Sequence, residues 1–157
     1  MKCKTTFCLG IFIFTLLICT SNLSAQSEKY EQTKEDIENT FGKMPSFFDA
    51  FPKHALPGAW ASFKALTGPE TSIEPKNREL IQLAVAAQIP CHYCVYFHTA
   101  SAEAYGATKQ EIQEAVALGA NTRHWSMILQ GAQIEFEDFK KEFQEMMVYM
   151  KNKAENK

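Results

Sequence analysis

Apolar residues recur along most of the chain at gaps of three and four rather than in strict alternation. That spacing places them on one face of a helix, so the chain reads as all-α, a single domain of helices joined by short loops. A largely polar stretch over residues 30–41 stops at Gly42, with Pro45 just beyond, a pairing that closes a helix. Phe47, Phe48, Phe51, Leu56, Trp60, Phe63 and Leu66 follow, interrupted at Pro52 and Pro57, and predict short helices wrapped on a core. After a turn over residues 67–72, Pro75 suits the first position of a helix. The run behind it, with Leu80, Ile81, Leu83, Ala84, Val85 and Ala87, predicts a helix that is largely buried. Pro90 opens another helix ending near Gly106, and Thr108 with Glu111 forms a capping-box pattern for a helix over residues 109–119. From Ala132 onward Phe136, Phe139, Phe143, Met146 and Met150 make a seam that wants a partner helix, in the same chain or in another subunit.

The first 25 residues stand apart from this pattern. Lys2 and Lys4 precede an apolar stretch from Phe7 to Ile18 and then a small, polar segment ending in Ser24 and Ala25, the layout of a cleaved secretory signal. The apolar run, about 12 residues, is short of the roughly 20 that cross a bilayer as a helix. Cys19 raises a lipid-anchored alternative, but the preceding Ile18 is a poor match for the small residue such processing prefers. Residues 26–157 are then one exported domain, periplasmic or secreted, with 14 basic against 18 acidic side chains and no long basic run. Nothing in this balance points to nucleic acid or to an anionic membrane surface.

Removal of the signal also removes Cys3, Cys8 and Cys19, leaving Cys91 and Cys94. A disulfide between them closes almost no loop and staples little, so a reactive role is favoured over a structural one. The pair follows Pro90 and falls in the first turn of a helix, where unpaired N–H groups and the positive dipole end favour thiolate. His98 lies four residues after Cys94 and seven after Cys91. At about 100° per residue the three side chains fall in one sector of roughly 60°, so the imidazole can exchange a proton with a thiol. Glu79 lies nine residues before Gln88, and His98 eight after Pro90. Two helices folded back antiparallel around this turn bring the two side chains to nearly the same height, at about 1.5 Å rise per residue. Glu79 would then orient His98, the two would form a proton relay to Cys94, and Cys91 would be the resolving thiol.

The spacing of Glu79, Cys91, Cys94 and His98 resembles the alkylhydroperoxidase D branch of the carboxymuconolactone decarboxylase family. Phe41, Gly42, Met44, Pro45, Arg78, Gly106, Thr108 and Glu111 extend the likeness over most of residues 26–157. The resemblance implies an all-α fold assembled into trimers or larger rings such as hexamers. It implies a hydroperoxide substrate attacked by Cys94, a disulfide closed by Cys91, Glu79 and His98 as the relay, no cofactor beyond that redox disulfide, and a separate thiol reductant as partner. One departure stands out: hydroperoxide reductases of this branch carry a histidine just before the second cysteine, where this chain has Tyr93, with His92 one place early. The decarboxylases that give the family its name generally lack the cysteine pair.

Other chemistry fits the same residues. Thiol-disulfide exchange with a protein needs only the pair, and Cys91, Cys94, His98 and Glu79 could hold zinc in a noncatalytic module. Haem attachment is disfavoured because Val95, not histidine, follows Cys94. Tyr93 reads as a packing residue, and His54 and His124 as structural or surface residues.

Overall fold

The computed structural model describes residues 25–156. The segment read as an export signal lies, but for Ala25, outside the described residues. Helix α1 covers residues 25–41 and is followed by a 3-10 turn, Ser46–Ala50. Then come α2 (Leu56–Thr67), α3 (Pro75–Gln88), α4 (His92–Ala104), α5 (Lys109–Gly131) and α6 (Phe136–Glu155). No strand occurs among the described residues, as the helical spacing requires. None of these helices is long and apolar enough to cross a membrane. The chain divides into two compact units, one up to Ser72 and one from Ile73 onward.

In the first unit Ile37, Leu56 and Trp60 form a buried core against which Tyr30, Met44, Phe48 and Phe63 pack. Gly42 takes φ 76° and its N–H bonds to the Glu38 carbonyl at 2.8 Å, a left-handed helix end that glycine adopts without steric cost. A buried indole needs an acceptor for its N–H, and Trp60 Nε1 donates to Asp36 Oδ2 at 2.7 Å. The Lys64 ammonium donates to the same oxygen and, with Trp60, holds the Asp36 carboxyl below its ordinary range.

In the second unit α3 packs against α4 and α5. It opens on Pro75, whose missing N–H would have found no partner in the first turn. Arg78, Glu79, Leu83 and Ala86 are buried, as expected of a largely buried helix, but the apolar run is not wholly covered. Ile81 and Val85 remain 53% and 55% exposed, because the side away from α4 opens into a groove beside α5. The α4 helix closes on Gly106 at φ 83°, with Ala107 N–H bonded to the Ala102 carbonyl at 2.9 Å. The capping box then starts α5: Thr108 Oγ1 accepts from Glu111 N–H at 3.1 Å, and the Glu111 carboxylate accepts from Thr108 N–H at 2.7 Å.

Gly119 does not end α5, which continues to Gly131. A Cβ at Gly119 would stand 3.2 Å from the Ala84 carbonyl oxygen and 3.4 Å from the Ala84 Cβ. The glycine therefore serves close helix approach, and packing against α3 offsets its helix cost of about 1 kcal/mol relative to alanine. Beyond a turn containing Gln133 at φ 54°, α6 is exposed along its whole length.

Candidate active site

The hairpin of α3 and α4 carries the candidate chemistry. Ile89 N–H bonds to the Val85 carbonyl and Cys91 N–H to the Ala86 carbonyl, each at 3.3 Å, so the chain reverses within a few residues of the end of α3. Cys91 is the N-cap of α4 and Cys94 its third residue. The Cys91 sulfur accepts the Cys94 N–H at 3.2 Å, doing what a serine or aspartate oxygen does at other helix starts. The two sulfurs are joined in a disulfide across a Cα separation of 5.3 Å.

His98 lies one turn beyond Cys94 and meets Glu79 across the hairpin, with Nδ1 2.8 Å from Glu79 Oε2. The antiparallel return read from residue counting thus brings these two side chains together. Their side chains are 17% and 6% exposed, respectively. An ionised carboxylate only accepts hydrogen bonds, so Nδ1 carries the hydrogen and Nε2 is left to take or give a proton. The Phe97 ring stands edge-on to the imidazole at 5.2 Å. Glu79 and Arg78 are adjacent buried charges on α3. Arg78 stands in a polar opening turn with Lys76, Asn77 and Glu79, so its own neighbourhood in the sequence carries no signal of burial.

The other candidates lie apart from this pair. Tyr93 does not pack: it is 89% exposed, because it sits about 100° around α4 from Cys94 and on the side away from His98 and the buried Ala102. His92, His54 and His124 are exposed as well. Among the described residues no three His, Cys, Asp or Glu side chains converge as a metal site.

The model of the carboxymuconolactone decarboxylase family matches residues 54–134, a little over half of the chain, from the start of α2 through α5 with the whole hairpin. The chain belongs to the carboxymuconolactone decarboxylase family. Within the family it is AhpD-like: it is similar to the crystal structure of the alkylhydroperoxidase AhpD core from Rhodospirillum rubrum, with a TM-score of 0.61 and 27% identity, over 76% of this chain and 90% of that one. An uncharacterised protein of Cupriavidus necator is 34% identical over 67 residues, which is 41% of this carboxymuconolactone decarboxylase-family chain. The match spans about 59% of the length of that relative.

Proposed function

We propose that this AhpD-like protein is an exported thiol-dependent oxidoreductase that reduces hydroperoxides through Cys94 and Cys91. The observation that carries the reading is the Glu79–His98 hydrogen bond, shielded from water one helical turn from the disulfide. The likeness to an alkylhydroperoxidase core supports it. A dithiol reductant opens the disulfide, giving up two electrons and two protons. His98 Nε2 takes the Cys94 proton as the thiolate attacks the terminal peroxide oxygen. The O–O bond breaks, the proton passes to the departing alkoxide, and Cys94 becomes a sulfenic acid. Cys91 attacks that sulfur, water leaves, and the disulfide returns. Glu79 keeps Nδ1 protonated throughout, so Nε2 is the nitrogen that exchanges the proton.

A second reading rests on the cap. The Cys91 sulfur receives the Cys94 N–H at the positive end of α4, which stabilises a Cys91 thiolate and suits that sulfur to thiol-disulfide exchange with a protein partner. The two readings separate in one experiment. Reduced protein is mixed with tert-butyl hydroperoxide and its free thiols are followed in the parent, in Cys94→Ser and in Cys91→Ser. Peroxide reduction predicts rapid loss of two thiols per chain in the parent, none in Cys94→Ser, and a trappable sulfenic acid in Cys91→Ser. Thiol loss no faster than that of free glutathione overturns it. A mixed disulfide that builds up on Cys91 of Cys94→Ser, when an oxidised protein substrate is supplied, then establishes exchange.

A further inference from the structure

We propose, on the redox reading of Cys91 and Cys94, that the exposed aromatic stripe of α4 beside their disulfide is the docking face for a protein dithiol that reduces it. From Leu80 to Ala102 the chain carries no aspartate, glutamate, lysine or arginine over 23 consecutive residues, although 22% of the whole chain is charged. Burial accounts for such a run along the inner side of α3, but not along α4. Ile89, just before that helix, and Tyr93, Tyr96 and Phe97 on it are between 44% and 89% exposed. Aromatic and apolar surface without charge is the composition of the centre of a protein interface, not of a solvated helix face.

The stripe has a direction. At about 100° per residue Tyr93, Tyr96, Phe97 and Ala100 fall in one sector of about 100°, with the buried Ala102 roughly opposite its middle. Helical side chains lean towards the N-terminus, so Tyr93 and Tyr96 lean towards the end of α4 at which the disulfide lies. Cys91 and Cys94 are half-buried, and a molecule seated on the stripe can reach a sulfur. Tyr93 and Tyr96 stand about 140° and 160° around the helix from His98, away from the relay. A hydroperoxide exchanging a proton with His98 has no use for them, whereas a partner broad enough to cover the stripe does.

Size commits the occupant to a transient partner. At about 200 Å² for a fully exposed large side chain, Ile89, Tyr93, Tyr96 and Phe97 together offer roughly 550 Å². Two matching faces bury on the order of 1,100 Å², just under the roughly 1,200 Å² at which stable complexes begin and within the range of redox encounters. A reductant that must leave after each turnover needs a face of this size, and a permanent partner needs more. The exchange balances. A partner thiolate attacks one sulfur of the disulfide and the other sulfur leaves as a thiolate. The partner's second thiol then displaces the mixed disulfide. Two electrons and two protons pass to Cys91 and Cys94, and the partner keeps the disulfide.

The test uses the oxidised full chain with two reductants: reduced thioredoxin, a protein dithiol, and dithiothreitol, a dithiol with no surface to dock. Opening of the disulfide is followed by quenching with a maleimide that adds mass to free thiols. Thioredoxin is expected to open the parent at least about 30-fold faster than dithiothreitol, and Tyr93→Gln with Tyr96→Gln to lose most of that advantage, since two contacts at the hot-spot threshold amount to about this factor. Dithiothreitol should open both at one rate. Tyr93→Phe with Tyr96→Phe keeps the rings and should keep the thioredoxin rate. Both sites are exposed, and far-ultraviolet circular dichroism confirms that each variant is folded. A parent that thioredoxin opens no faster than dithiothreitol overturns the proposal, whether the stripe is covered by another copy of the chain or receives the organic part of a hydroperoxide. A glutamine pair that keeps the thioredoxin rate, or a phenylalanine pair that loses it, overturns it as well. The peroxide step is measured apart, on protein already reduced, where the glutamine pair should lose thiols to tert-butyl hydroperoxide at the parent's rate. Slow loss in both would sink peroxide reduction and leave the docking result standing; slow loss in the glutamine pair alone would move the tyrosines into the peroxide step and overturn docking.

Discussion

Glu79→Gln removes one charge and leaves the shape of the hairpin in place. The glutamine amide can still accept from His98 Nδ1, so what is lost, on the proposed mechanism, is attraction between a carboxylate and the imidazolium formed when His98 holds the Cys94 proton. Two unit charges about 4 Å apart attract by about 4 kcal/mol at an effective dielectric of 20. His98 is 17% exposed at its side chain, and water at that edge lowers the figure to about 2–3 kcal/mol. At 1.4 kcal/mol per factor of ten, peroxide attack should slow by roughly 30- to 150-fold. The assay is stopped-flow loss of thiols in reduced protein at several hydroperoxide concentrations, with urea unfolding run in parallel to establish that the variant is folded. His98→Ala should slow the same step, and Glu79→Gln added to His98→Ala should cost little more, since the two act as one unit. A folded Glu79→Gln whose attack rate stays within about twofold of the parent refutes the relay. So would additive losses in the double variant.

Two further predictions concern how the second unit is held. Thr108→Ala removes the hydroxyl that caps α5 and should cost about 1 kcal/mol, read as a lower urea midpoint at unchanged slope; no change would mean that the capping box contributes nothing in solution. The Glu111 carboxyl is lowered from 4.5 to about 2, first by its bond to Lys76 at 2.7 Å and then by Thr108. Its folded value lies below its unfolded one, so its stabilisation is complete above about pH 4.5 and fades as pH falls towards 2. Lys76→Met removes the largest cause, and the acid loss of stability across that window should become shallower. An identical pH profile of the urea midpoint would exclude this pair as a source of it.

Much of this architecture is written in single residues with local effects. Pro75 and Gly106 mark a helix start and a helix end because a missing N–H and a missing Cβ act on the backbone wherever they occur. Thr108 and Glu111 cap α5 because both partners lie within one turn. The approach of Glu79 to His98 could be counted along the chain once the turn between them was located, since two straight helices of known rise leave little freedom. What could not be counted is what lies beside a helix. Gly119 looks like an end signal and is instead a contact with α3, a relation between residues 35 positions apart. Tyr93 looks like packing material, but it stands on the side of α4 away from His98 and the buried Ala102 and is exposed. The apolar run of α3 predicts a largely buried helix, and it could not show that the groove leaves Ile81 and Val85 uncovered.

Glu79, Cys91, Cys94 and His98 all lie on one helical hairpin, within 20 consecutive residues. That has a consequence for biogenesis. Contacts between near neighbours in sequence form fastest, with helix growth and short-loop closure on the sub-microsecond to microsecond scale. Once α3 and α4 have both left the ribosome, every member of the constellation is present to be ordered. The cysteine pair can therefore be brought to its place on the hairpin before α5 and α6 have emerged. Local order at the hairpin is then an event of synthesis, and closing the disulfide in an oxidising compartment needs nothing from α5 or α6.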